Sequence, residues 1–319
     1  MHAALRLLDF PPTADRRPVS KWLTMAGATS SLQIVGAMRT DPGRVRTLNE
    51  DSVVWVTPPE HEAAGARGSL ALVADGMGGH AAGEVASALA ADVVRRLYYD
   101  LDGPTPRVLA EAFAAANRAI LDYAAEHPEC KGMGTTCTVL AFHGGQAWLA
   151  HIGDSRAYLL RDATLTQLSQ DQTLVAKLVS EGALTAEEAV HSPINNVILQ
   201  ALGTSPNFKP IIGAKGLPLR EGDVFVLCSD GVCGLVPDDT IAEIAGRLPP
   251  QDACHALIEA ALAAGGHDNA SLGIFSVTAR AQPDTASNPT TRRIKIPVPA
   301  AGQQSNSAAP ADRPAGLSS

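Results

Sequence analysis

The sequence is short of the features that usually sort a chain into a class. Its five cysteines, Cys130, Cys137, Cys228, Cys233 and Cys254, are odd in number and form no C-x-x-C pair. That disfavours a disulfide framework and a zinc knuckle, leaving reduced thiols in a cytosolic setting as the plain reading. No apolar run approaches the roughly 18 to 20 residues that a membrane helix needs. The opening MHAALRLLDFPPTADRRP lacks the apolar core and cleavage signal of a secretory peptide. A soluble, cytoplasmic chain with no membrane span is expected. The central chain has no Lys/Arg-rich run and the net charge is −8, which argues against nucleic acid as a main partner. Catalytic signatures are missing as well. No cysteine has an arginine six positions on, and there is no G-x-S-x-G, H-E-x-x-H or G-x-x-x-x-G-K-[ST]. With them go the thiolate phosphatase loop, the serine elbow, the zincin helix and the P-loop.

What is there is one long patterned stretch between two unpatterned ends. Residues 1–30 read as an irregular extension rich in Pro, Arg and Ser. Residues 281–319 are Pro-, Ala- and Ser-rich without a period. A disordered tail is expected there, because such a segment buries too little apolar surface to offset ordering entropy. Between them, SLALVADG, GTTCTVLAF, QAWLAHIGD, DVFVLCSDG and ASLGIFSV are short strand-like runs bounded by Gly or Asp. Val85, Leu89, Val93 and Leu97 recur at helical spacing, as do Leu109, Phe113, Ala116 and Ile120, and Cys254, Leu257, Ala261 and Leu262. Only DLDGPT separates the first two of these helices. A βαβ alternation would put a strand there, so two antiparallel sheets face to face with helices outside fit better than a doubly wound sheet. Residues about 171–204 read as short helices with a Ser-Pro break, inserted between two strands as a flap beside a site.

The carboxylates stand out by position. Asp75, Asp154 and Asp230 each end a strand-like run, while Glu50-Asp51 and Asp268 stand at strand beginnings. Any one of them is explained by turn chemistry, which favours Asp and Gly. The whole set is harder to assign to turns, and carboxylates brought together need a compensating cation. Oxygen ligands without Cys/His pairing select Mg²⁺ or Mn²⁺, and a carboxylate bridging two such ions would hold a shared water as nucleophile. Arg46, four residues before Glu50, is the candidate to grip a phosphoryl group with its fork of donors. A rival reading takes Gly76-x-Gly78-x-x-Ala81 as a dinucleotide fingerprint with Asp100 as the ribose acid. Asp75 would then set a negative charge beside the pyrophosphate, and a helix follows where a strand is required.

Six segments in order, GRVRTLNED (43–51), VADGMGG (73–79), GMGTT (132–136), HIGDSRAYLL (151–160), CSDGV (228–232) and GGHDN (265–269), resemble the protein phosphatase 2C (PP2C) family. The likeness is to its bacterial metal-dependent Ser/Thr phosphatases, over about residues 32–279. It implies an α+β fold, a four-layer α-β-β-α sandwich in a phosphatase domain spanning 31–280. It also implies two or three Mn²⁺ or Mg²⁺ ions between the sheets. Carried over, Asp75 bridges the first two ions, the Gly76 carbonyl is a ligand, and Asp230 and Asp268 complete the first ion's carboxylates. Glu50 lies toward the second ion with Asp51 behind it. Asp154 and Asp230 hold a third, Arg46 binds the substrate phosphate, and Asn269 supports its turn. The implied reaction is attack of activated water on phosphoserine or phosphothreonine without a phosphoenzyme. The implied partners are phosphorylated proteins and a Hanks-type Ser/Thr kinase that the enzyme opposes. Two positions depart from the family pattern. Met77 stands where eukaryotic relatives have a histidine that protonates the leaving alkoxide, with His80 a weak substitute. In HSPINN (191–196), Asn195 replaces the arginine common in bacterial relatives. The alternative is a pseudophosphatase-like regulator that binds phosphoproteins without turnover.

Overall fold

Strands that are apolar along their whole length must be covered on both faces, since successive side chains point to opposite sides. The computed structural model describes residues 32–59, 67–78, 82–190 and 192–280. The readings of residues 1–30, of His80 and of the 281–319 tail lie outside the described residues. The first part runs β1 (Leu32–Asp41), β2 (Asp51–Val56) and β3 (Ser69–Met77), then α1 (Ala82–Asp100) and α2 (Thr105–Glu126). Next come β4 (Gly134–Thr135), β5 (Cys137–His143), β6 (Gln146–Ile152), β7 (Arg156–Arg161) and β8 (Thr164–Gln167). The flap contributes α3 (Leu174–Ser180) and α4 (Ala186–Val190). The chain returns through β9 (Ile211–Ile212), β10 (Leu217–Pro218) and β11 (Val224–Cys228). It closes with α5 (Asp230–Cys233), α6 (Asp238–Arg247), α7 (Pro250–Ala263) and β12 (Ala270–Ala279).

The strands form two antiparallel sheets, ordered β1-β12-β11-β7-β8 and β10-β6-β5-β3-β2, with β4 on β3 and β9 on β6. Three buried clusters separate four layers. On β3, Leu70, Leu72 and Ala74 face α1 and α2, while Ala71 and Val73 face the other sheet. On β12, Leu272 and Ile274 pack under α6 and α7, while Phe275 and Val277 meet the β10-β6-β5-β3-β2 sheet. Between the sheets Phe275, Phe142 and Trp55 pack as an aromatic cluster. The α-β-β-α sandwich therefore follows from the two-sided strands, and α1 and α2 run consecutively as their spacing predicted. One detail differs. In the expected apolar stripe of α1 only Val93 is buried, while Val85, Leu89 and Leu97 are half-buried. The deeply buried face carries Ala86, Ala90 and Val94 instead. Small side chains there let the helix lie close to the sheet and to α2. No helix among the described residues is long and apolar enough to cross a membrane, and all five cysteines are free thiols.

Candidate metal centre

The register of the strands delivers the acids to one edge. Asp51 opens β2 directly opposite Asp75 near the end of β3. Asp154 lies in the turn between β6 and β7, and Asp268 just precedes β12, whose Ala270 pairs with Asp41. Asp230 follows β11. It opens the short helix α5, with Ser229 as N-cap; a carboxylate in the first helical turn is favoured by the local dipole.

Around these acids the backbone is tightly fixed. The Asp75 amide donates to Thr136 Oγ1 (2.9 Å), the Asp75 carbonyl accepts from the Thr135 hydroxyl (2.9 Å), and Thr136 Oγ1 lies 2.8 Å from Ser155 Oγ. Ser229 Oγ donates to Asp51 Oδ2 (2.9 Å) and accepts from the Ser271 amide (3.0 Å). Asn269 ties three segments together. Its Nδ2 donates to the Pro42 and Leu48 carbonyls (both 2.9 Å), and its Oδ1 accepts from the Glu50 amide (2.8 Å). The loop between β1 and β2 is thereby fastened to the start of β12. Gly76 is required by close packing: a Cβ there would collide with the Gly83 carbonyl and come within 2.6 Å of the Glu50 carbonyl. Sequence reasoning missed the supporting hydroxyls of Thr136, Ser155 and Ser229. All three are fully buried; Ser155 and Ser229 neighbour an acid in the sequence, and Thr136 does not.

The electrostatics are those of a crowded anionic site. Burial pushes the Asp154 carboxyl up to about 7, with Asp230 and Asp171 adding to the effect. Asp51 is likewise pushed up to about 7 by burial, opposed by hydrogen bonds from Ser271 and Ser229. Burial and the charges of Asp51 and Asp230 raise Asp75 well above the usual carboxylate range. Burial raises Asp230 too. Asp51 Oδ1, Asp154 Oδ1 and Asp230 Oδ1 are buried and have no hydrogen-bond partner. Three unsatisfied oxygens on neighbouring acids would be a heavy cost in a purely structural cluster. They fit hard divalent cations, which take oxygen ligands. Two arrangements differ from a preformed cage. Among the described residues no three His, Cys, Asp or Glu side chains stand as a ready ligand group. Arg46, expected to face a phosphate, donates from Nη2 to Asp268 Oδ2 at 2.8 Å. Crowded like charges account for the second: Asp268 takes a neighbouring cation as its partner.

A cleft of about 940 Å³ opens from Asp154, Asp230 and Asp268 and runs under the flap, past Val175 and Val179 of α3. Asn195, a neutral side chain, lines it.

Residues 44–264 match the family model described as protein phosphatase 2C. The chain belongs to the protein phosphatase 2C family. The Ser/Thr protein phosphatase PstP of Mycobacterium tuberculosis is 44% identical over 244 residues, 76% of this chain and 44% of that protein. The chain thus spans less than half the length of this relative. The protein phosphatase PhpP of Streptococcus pneumoniae is 34% identical over 245 residues, 76% of this chain and 96% of PhpP. Among solved structures, the catalytic domain of PstP in complex with two manganese ions superposes with a TM-score of 0.68 at 40% identity, covering 78% of this chain and all of that one. These 2C-family relatives share the fold, and their phosphatase names bear on what this chain's acids do.

Proposed function

We propose that the chain is a Mn²⁺- or Mg²⁺-dependent protein phosphatase acting on phosphoserine and phosphothreonine in proteins. The observation that carries this is the gathering of acids from both sheets at one edge, three of them with a buried carboxylate oxygen that has no donor. Asp75, Asp230 and Asp268 would hold one ion, with the Gly76 carbonyl a further ligand at the site. Asp75 and Glu50 would hold a second, and Asp154 with Asp230 a third. Bound ions supply a nucleophilic water and neutralise charge on the phosphoryl group.

The chain's own residues do the rest. Ser229 holds Asp51 behind this set through its hydroxyl. The exposed Arg46 exchanges Asp268 for a phosphoryl oxygen, which its planar fork suits equally well. Met77 has no proton to give, so no side chain at that position protonates the leaving alkoxide. The cleft under the flap takes the polypeptide around the phosphoresidue. We place the working unit at residues 31–280, in the cytoplasm, opposing a Hanks-type Ser/Thr kinase; PstP and PhpP, named as phosphatases, support this reading. A regulator that only binds would not need the full set of acids.

The test is turnover of phosphothreonine and phosphoserine peptides by the full chain with Mn²⁺. Activity should vanish in chelator and fall at least about 100-fold in Asp268→Asn with the fold retained. Metal-independent turnover, or an unimpaired variant, would refute the assignment.

A further inference from the structure

Three consecutive residues at the root of the flap are each tied to the turn that carries Asp154. The Gln170 carbonyl lies 3.0 Å from His151 Nε2. Asp171 Oδ2 accepts from Arg156 Nη2 (2.7 Å) and Nε (3.1 Å). The Gln172 amide donates to the Gly153 carbonyl (2.8 Å), and Gln172 Oε1 accepts from the Gly153 amide (3.0 Å). Residues 151, 153 and 156 bracket Asp154, so the flap root and this turn form one hydrogen-bonded unit.

The three ties are not equivalent. The Arg156 side chain is 28% exposed along the cleft, and water competes for its partners. His151 is fully buried, and a buried polar link is costly to leave unmade. Its tautomer follows from its neighbours. A carbonyl only accepts, so Nε2 carries the proton and donates to Gln170. Burial lowers the affinity of the ring for a second proton, leaving Nδ1 as an acceptor for the Thr138 hydroxyl at 2.9 Å. The same hydroxyl also stands within donating distance of the Ser155 carbonyl (3.1 Å), on the residue after Asp154, so its one hydrogen is divided between the two acceptors. One imidazole thus spans β5, β6 and the flap root.

We infer that His151 is a positioning residue that fixes the flap root against the Asp154 turn, giving the cleft wall and the acid one relative placement. The inference rests on the reading of this cleft as the phosphatase site, and its first readout does not require turnover. In the full chain, amide hydrogen exchange over 170–204 is compared among the parent, His151→Leu and His151→Gln. Leucine keeps the apolar volume and offers no hydrogen bond, whereas glutamine can return an N–H to the Gln170 carbonyl. Exchange over 170–204 should quicken about tenfold in the leucine variant, with α2 unchanged, and return to near the parent rate with glutamine. In parallel, KM for a phosphothreonine peptide should rise about tenfold in His151→Leu. The kcat for p-nitrophenyl phosphate, which has no peptide to lay along the flap, should stay within about twofold. Unchanged flap exchange and peptide KM in His151→Leu, or a glutamine variant as impaired as leucine, would overturn the inference. Should His151→Leu fail to fold, His151→Gln alone decides: parent-like exchange and KM support the inference, and a tenfold loss in both overturns it. Exchange behaving as stated in a chain that turns over no phosphopeptide would sink the phosphatase reading and leave the positioning role standing.

Discussion

Removing divalent metal should make the stability of this protein fall as pH rises, and the size of the fall can be worked from Asp154. Its carboxyl is pushed from 3.8 up to about 7 by burial and by Asp230 and Asp171. With the folded value above the unfolded one, the native state holds a proton that the unfolded chain has already released. This contribution is fully present below about pH 4 and is lost as pH rises through 7. Three pK units at 1.36 kcal/mol each amount to about 4 kcal/mol. Only 8% of the residue is exposed, so solvent screens little of it. For a domain of this size that corresponds to roughly 8–16 °C in Tm. Asp51, Asp75 and Asp230 are pushed the same way. A bound cation relieves the same repulsion, so the gain in Tm on adding Mn²⁺ to chelator-treated protein should be on the order of 10 °C at pH 8 and small at pH 5. Differential scanning fluorimetry of the full chain across that range reads it directly. Asp154→Asn without metal should be more stable than the parent at pH 8 and show a shallower pH slope. A Mn²⁺ gain equal at both pH values, or larger at pH 5, would refute the reasoning.

Two further outcomes follow. Asp223 is almost fully buried and accepts from Arg161 Nε and Nη2 (2.7 Å each) and from the Arg220 amide (2.8 Å). Asp223→Ala should cost about 1–3 kcal/mol by leaving the Arg220 amide and the Arg161 guanidinium without their shared acceptor. Denaturant melts would show it, with peptide KM unchanged because this pair sits at the strand ends remote from the acids. Arg46→Ala should raise phosphopeptide KM about tenfold while calorimetric Mn²⁺ affinity holds or improves, since Asp268 loses a competing cation. A normal KM would remove Arg46 from phosphate binding.

Much of the fold was legible because its central strands are buried on both faces and read as unbroken apolar runs, and because two helices in succession exclude a βαβ unit. Helix α6 was not legible: only Ile241 and Ala245 are buried in it, too sparse a stripe to register. The acids could be picked out by their places at strand ends. Their supports could not, since Ser and Thr beside Gly and Asp read as turn formers until distant partners are known. Thr136 meets the Asp75 amide 61 residues away, and Ser229 meets Asp51 across 178. The pairing of Arg46 with Asp268 spans 222 residues and is equally invisible locally. The resemblance makes the Gly76 carbonyl a ligand and leaves the choice of glycine unexplained. The structure shows a reason, the crowding of Gly83 and Glu50 against it.

The central claim is that Asp75 joins these acids into one site for two ions that drive phosphoester hydrolysis. Counting bound Mn²⁺ by calorimetry alongside turnover of a phosphothreonine peptide, in the full chain and in Asp75→Asn, tests it most directly. The account predicts at least two ions and turnover in the parent, with fewer ions and no turnover in the variant. Two ions and undiminished turnover in Asp75→Asn would contradict it.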